Sequence, residues 1–197
     1  MSPISRCLLA GSLATLIPAL LLPALLPAGA AAGESPQSPV PVARVDLERY
    51  AGRWFEIAKI PNRFQKQCVG GTTATYTLRE DGKIEVVNRC RKRGGGMAEA
   101  RGVAEIVDKE THAKLRVSFV SFLGFRPFWG DYWILALGEN YEYALVGTPD
   151  RKYGWILSRT PALPTETIRG ILDAIRTQGY DPDRFQASSQ DSTSASS

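Results

Sequence analysis

Cys68 and Cys90 are the cysteines that remain once an N-terminal export segment is set aside, and they pose the first chemical choice, a disulfide or a metal site. Ligation needs further donors, and the only histidine, His112, falls in an apparent turn well away in sequence, so no metal is expected. An oxidised pair is the favoured reading; closing a loop of ~22 residues, it would add about 3 kcal/mol by restricting the unfolded chain. A second pairing concerns shape. Trp54 lies in the run Gly52, Arg53, Trp54, Phe55, and Arg159 follows Ile156, Leu157, Ser158. A guanidinium can stack on an indole face, but residues at opposite ends of a run of short strands meet only if the sheet curls round on itself.

The N-terminus decides the redox setting. Residues 1–32 carry Arg6, a Leu- and Ala-rich run, and then Ala30, Ala31 and Ala32, the small-residue pattern of a cleaved signal peptide. Pro18, Pro23 and Pro27 interrupt the run, which argues against a membrane-spanning anchor. Cys7 precedes the apolar run, so a lipid-modified cysteine is not expected, and the exported protein is placed in the periplasm, associated with an outer membrane, or secreted. An exported chain meets an oxidising environment, which favours the Cys68 and Cys90 bridge.

Of 197 residues, removal of 32 leaves 165, enough for one domain. One arginine and no acid leave with the signal, so the net charge falls from +4 to +3. That mild excess forms no dense basic stripe, and no nucleic-acid partner is expected. Residues 33–45 read as a flexible Pro/Ser-rich leader, 46–186 as the folded domain, and 187–197 as a disordered Ser-rich tail.

Between residues 50 and 159 the chain reads as about eight short strands. Residues 73–78 and 83–88 flank Glu80, Asp81, Gly82, an Asp-Gly hairpin signal. Further strands are expected over 54–60, 99–107, 114–120, 132–137, 143–146 and 153–159. The period then changes: Ile168, Ile171, Leu172 and Ile175 recur at helical spacing, with Pro164 near the start and Gly179 just past the end. Regular short strands allow a sandwich or an up-and-down barrel, and the Trp54 and Arg159 pairing favours the barrel.

Three stretches, YAGRWFEIAK (50–59), TATYTLREDGKIEVVNR (73–89) and ALVGTPDRKYGWILSRTP (144–161), resemble the lipocalin family in order and spacing, closest to its bacterial and apolipoprotein D-like members. The likeness covers residues 50–185. It departs at the family's middle motif, usually threonine, aspartate, tyrosine, where this chain has Gly138, Glu139, Asn140, Tyr141. The resemblance implies an all-β fold, an eight-stranded antiparallel up-and-down β-barrel with one C-terminal α-helix packed outside. It also implies a floor closed by Gly52, Trp54 and Arg159, and a cavity open at the other end.

Side chains two apart in a strand share a face. With Trp54 and Arg159 taken as inward, Glu56, Ala58 and Ile60 follow on the first strand, and Tyr153, Trp155 and Leu157 on the last. Register guided by the resemblance adds Ala74, Tyr76, Leu78, Ile84, Val86 and Asn88, then Gly102, Ala104, Ile106, Leu115, Val117 and Phe119, and finally Tyr132, Ile134, Ala144 and Val146. The ligand-binding set expected from these faces is Ala58, Ile60, Ala74, Tyr76, Ile84, Val86, Asn88, Ala104, Leu115, Val117, Phe119, Tyr132, Ile134, Tyr153 and Trp155. Small barrels are often filled solid. The resemblance implies an open cavity instead, and Ala58, Ala74, Gly102, Ala104 and Ala144 are small enough to leave room.

A greasy cavity with few polar atoms suits an acyl chain: each buried CH2 is worth ~0.8 kcal/mol, so about ten could support micromolar binding. The function implied is non-enzymatic binding, storage or transport of a small hydrophobic ligand, a fatty acid or lysophospholipid, without a cofactor and with a role in membrane maintenance. An enzyme acting on a lipophilic substrate is the alternative, and Glu56 is its inward carboxylate, but a single carboxylate near a barrel floor is more often satisfied by a neighbouring tyrosine or by Arg159 than catalytic. A protein-binding surface module is the other. Arg63, Lys66, Arg89, Arg91, Lys92 and Arg93 gather at the open rim, either as an anion attractor or as a solvated loop. The polarity-poor connection from Phe122 to Trp129 would lean on a membrane or fold inward as a lid. The protein is expected to be a monomer or weak homodimer.

Overall fold

The computed structural model describes residues 38–190 apart from Gly124; the proposed signal segment lies outside the described residues. Eight strands run β1 (Gly52–Lys59), β2 (Cys68–Leu78), β3 (Ile84–Lys92), β4 (Met97–Ile106), β5 (Lys114–Ser118), β6 (Gly130–Leu137), β7 (Tyr143–Gly147) and β8 (Gly154–Ser158). Each pairs antiparallel with the next, and β8 returns to pair with β1. This is the closed up-and-down barrel expected, and closure gives each of its eight strands a partner on both sides over at least part of its length. The connections after β1, β3, β5 and β7 lie at one end, the mouth.

The Asp-Gly hairpin forms between β2 and β3, with Gly82 at φ +75 and Asp81 Oδ1 accepting from the Lys83 amide at 3.2 Å. β2 begins five residues earlier than the sequence suggests. Gly70 and Gly71 lie where its register with β3 shifts, and Gly71, at φ +59, supplies the backbone freedom that such an irregularity needs. Glycines there kink the strand rather than end it, so Cys68 lies within β2 instead of in a connection.

The amphipathic helix forms as α2 (Thr165–Thr177), the second helix after the single turn α1 (Leu47–Tyr50). Ile171 and Ile175 are fully buried against Leu135, Leu145 and Ile156 on the barrel's outer wall.

Neither flanking segment is as idle as its composition suggests. In the leader, the Val42 amide donates to Ile134 O and the Val45 amide to Thr111 O, and Val45 is fully buried under the barrel floor. At the other end, Gln186–Ala187 forms β9 against β1, and the chain continues as a strap to Gln190. β1 and β2 pair only as far as Phe55 with Thr73; beyond that they diverge toward the mouth, and the strap fills the gap. The Ser188 amide donates to Ile57 O on one side, while Ser189 O accepts from the Gly71 amide on the other. Serine and glutamine suit a seam that offers unpaired backbone groups rather than apolar surface.

Candidate functional site

The floor is built around Arg159. Its guanidinium carbon stands 3.8 Å from the Trp54 ring centroid, and its nitrogens donate to the carbonyls of Arg53, Arg49, Tyr50 and Tyr141. Trp54 Nε1 donates to Tyr50 O at 2.8 Å, so both the cation and the indole are fully engaged. Gly52 adopts φ +94, and a Cβ there would come 3.4 Å from Arg159 Nη1. The turn that replaces the usual middle motif also serves the floor: Tyr141, at φ +61, accepts the Asp46 amide on its hydroxyl and lies under the Arg49 guanidinium.

Above the floor the barrel is solid. Ala74, Tyr76, Ile84, Val86, Ala104 and Leu115 join Ile134, Ala144, Val146 and Leu157 in one buried cluster with Tyr50 and Trp54. Tyr132 bridges Tyr50 and Tyr76 through hydroxyl hydrogen bonds of 2.7 and 2.8 Å. Burial pushes the Tyr76 phenol up to about 12 and raises those of Tyr50 and Tyr132 as well, so all three are neutral hydrogen-bonding groups. The small residues therefore do not leave space in this half; Ala74, Ala104 and Ala144 make way for the aromatic rings. Gly102 is likewise covered, since a Cβ on it would come 2.7 Å from the Phe119 ring.

Toward the mouth the same inner wall opens. Asn88, Val117, Tyr132 and Trp155 are half-buried, Ala100 opposite Asn88 is exposed, and Phe119 is 40% exposed. Tyr153 stands at the lip, its ring 6.1 Å from Trp155 and 5.7 Å from Phe64.

Two expected members of this wall face the other way. β1 carries an irregularity between Glu56 and Ala58, where its register with β8 shifts by one residue. Ile57 and Ala58 consequently both point outward, and Ala58 and Ile60 pack in the outer cluster with α2, Tyr180 and Phe185. Lys59, paired with inward Trp155, takes the interior position instead.

This slip assembles a polar group that sequence reasoning missed. Glu56 is 3% exposed. Its Oε1 accepts from Lys59 Nζ and Ser188 Oγ, and its Oε2 from Gln65 Nε2, each at 2.6 Å. The expected tyrosine or Arg159 partner is replaced by these three donors. Gln65 arrives on a 3₁₀ turn, Arg63–Gln65, capped by Asn62, and its Oε1 also accepts from Trp155 Nε1 at 3.1 Å. The need of an inward Trp155 indole N–H for an acceptor was the signal that could have called for such a group.

At the rim, Cys68 and Cys90 form the disulfide, tying β2 to β3 with Cα atoms 5.5 Å apart. In the connection between β5 and β6 at this end, Phe122, Leu123, Phe125 and Phe128 stay exposed rather than folding into the barrel as a lid. A concavity of about 180 Å3 lies outside the barrel between α2 and the wall at Ile57, Ala58 and Ile168, and another of the same size lies beside the strap at Lys59 and Gly70.

A family model described as a lipocalin-like domain matches residues 45–190. Temperature-induced lipocalin-1 of Arabidopsis thaliana is 42% identical over 77% of this chain and 83% of its own length. Outer membrane lipoprotein Blc of Escherichia coli K12 is 40% identical over 76% of this chain and 82% of its own. Apolipoprotein D of Mus musculus is 36% identical, covering 80% and 83% respectively. Among solved structures, insecticyanin from the tobacco hornworm Manduca sexta superposes with a TM-score of 0.65 at 26% identity, over 81% of this chain and 88% of that one.

Proposed function

The chain belongs to the lipocalin family, alongside its bacterial members, and from that premise we propose that it binds and carries a small hydrophobic ligand in the mouth half of the barrel, a fatty acid or lysophospholipid in the cell envelope. The observation that carries this reading is the gradient along the inner wall: buried and filled from Trp54 to Ile134, apolar and accessible at Val117, Phe119 and Trp155. Burial of acyl carbons on those surfaces supplies the affinity, and the solid lower half limits how deep the chain reaches. Asn88 and Tyr153 are the polar side chains within reach of an ester or hydroxyl; the hydroxyls of Tyr76 and Tyr132 are spent on each other.

Binding rather than catalysis fits Glu56, whose carboxylate is neutralised by Lys59 and held by two further donors. A general base needs a free lone pair aimed at substrate. An envelope or exported setting accords with the disulfide and with the names of the outer-membrane relatives. Native mass spectrometry of freshly purified protein, followed by organic extraction, tests the proposal. A co-purifying acyl lipid is the expected result. A bare chain that also takes up no added fatty acid or lysophospholipid would overturn it.

A further inference from the structure

The mouth carries more apolar surface on its outside than a carrier of one small ligand requires. In the connection between β5 and β6, Phe122 is 70% exposed, Leu123 92%, Phe125 69% and Phe128 70%. The projection is built rather than loose. Phe122 and Phe125 exchange backbone hydrogen bonds of 2.9 Å, and Arg126 Nη1 anchors the base by donating to Ser118 O at 3.0 Å. Leu123 sits at the tip with φ +49, a conformation leucine rarely adopts, and its side chain meets only solvent.

The neighbouring mouth connections are basic. Residues 61–67 and 91–96 hold Arg63, Lys66, Arg91, Lys92 and Arg93 and no acid. Arg63, Lys66, Lys92 and Arg93 are exposed, and among the described residues none has a carboxylate within ion-pair distance. The acids at this end are largely committed elsewhere, Glu99 to Arg89 and Arg101, and Asp150 to Lys152; Asp131 opens β6.

We propose that the open end is a docking face for an anionic phospholipid bilayer, with the Phe122 to Phe128 projection entering the interface and the four cations meeting lipid phosphates. Exposed aromatic and leucine side chains beside lysine and arginine are the composition of an interfacial anchor. The inference rests on the carrier reading for its purpose: a docked mouth would pass an acyl chain between bilayer and barrel without crossing water.

The test is flotation with vesicles of phosphatidylcholine, with and without phosphatidylglycerol. It compares the wild-type chain with F122S/L123S/F125S/F128S and with K66S/K92S/R93S, all keeping the same N-terminus. The expected results are binding of the wild type to phosphatidylglycerol vesicles, at least a tenfold loss in the first variant, and loss of the salt-sensitive part in the second. Leu123→Trp fluorescence should be quenched by brominated acyl chains. Equal flotation of wild type and the first variant would overturn the proposal. So would a concentration-dependent dimer that the first variant abolishes in a chain that ignores vesicles. Displacement of a fluorescent fatty acid, measured in parallel, separates the two readings: its absence with vesicle binding intact would end the carrier reading alone.

Discussion

Lys59 and Glu56 lie on the two sides of the irregularity in β1, yet their charged atoms are 2.6 Å apart, with the glutamate buried and the lysine nearly so. Removing one member of such a pair strands the other charge in a poor solvent. Glu56→Gln or Lys59→Met should each lower unfolding stability by about 2–4 kcal/mol, while the paired change Glu56→Gln/Lys59→Met costs less than the sum. Urea denaturation with the disulfide intact measures this; additive losses would show that the two groups do not interact.

The tyrosine triad sets an alkaline limit. The unfolded chain releases phenolic protons near 10, whereas Tyr76 holds its proton up to about 12 and Tyr50 and Tyr132 are shifted the same way by burial. Above pH 10 the unfolded state therefore binds fewer protons than the native one, and stability falls as pH rises. The contribution of Tyr76 is complete below pH 10 and is lost as pH rises through about 12, with Tyr50 and Tyr132 acting in the same direction. Denaturation midpoints at several pH values should decline across that window, and a Tyr76→Phe/Tyr132→Phe variant should show a shallower decline. An unchanged slope in the variant would place the alkaline sensitivity elsewhere.

The strap from Gln186 to Gln190 seals the upper seam between β1 and β2, with Gln190 Nε2 donating to both Glu56 O and Thr72 O. A chain ended after Phe185 should lose about 2–4 kcal/mol, since several hydrogen bonds disappear and buried acceptors are left behind. Hydrogen exchange should quicken at Gly71 and its neighbours in β2, whose partners go with the strap. The full-length protein is the reference; exchange at Gly71 left unchanged when the chain ends after Phe185 would show that the strap seals nothing.

Legibility followed the kind of signal each element leaves. Trp54 and Arg159 announced the closed floor because the stretches that hold them resemble the lipocalin family, whose barrel is closed by such a pair, and α2 was visible in the period of its isoleucines. Alternation assigned faces well on β3 to β5, where pairing runs unbroken from Ile84 to Leu115. It failed at Ala58 and Ile60 because the irregularity between Glu56 and Ala58 centres on Ile57, with no glycine or proline to mark it. The strap hid behind composition: serine and glutamine read as solvated tail, although a seam of unpaired amides needs polar side chains. Likewise Ala74, Ala104 and Ala144 suggested vacancy, and only the packing shows aromatic rings occupying it.

The mouth half and the groove under α2 are rival sites for an acyl chain, and one pair of substitutions separates them. Val117→Arg puts a charge on the accessible inner wall; Ile168→Arg does so in the groove, at a helix position already 37% exposed. Fatty-acid affinity by fluorescence displacement should fall at least tenfold in Val117→Arg and stay at the wild-type value in Ile168→Arg. Wild-type affinity in Val117→Arg, with the loss appearing in Ile168→Arg instead, would contradict binding inside the barrel.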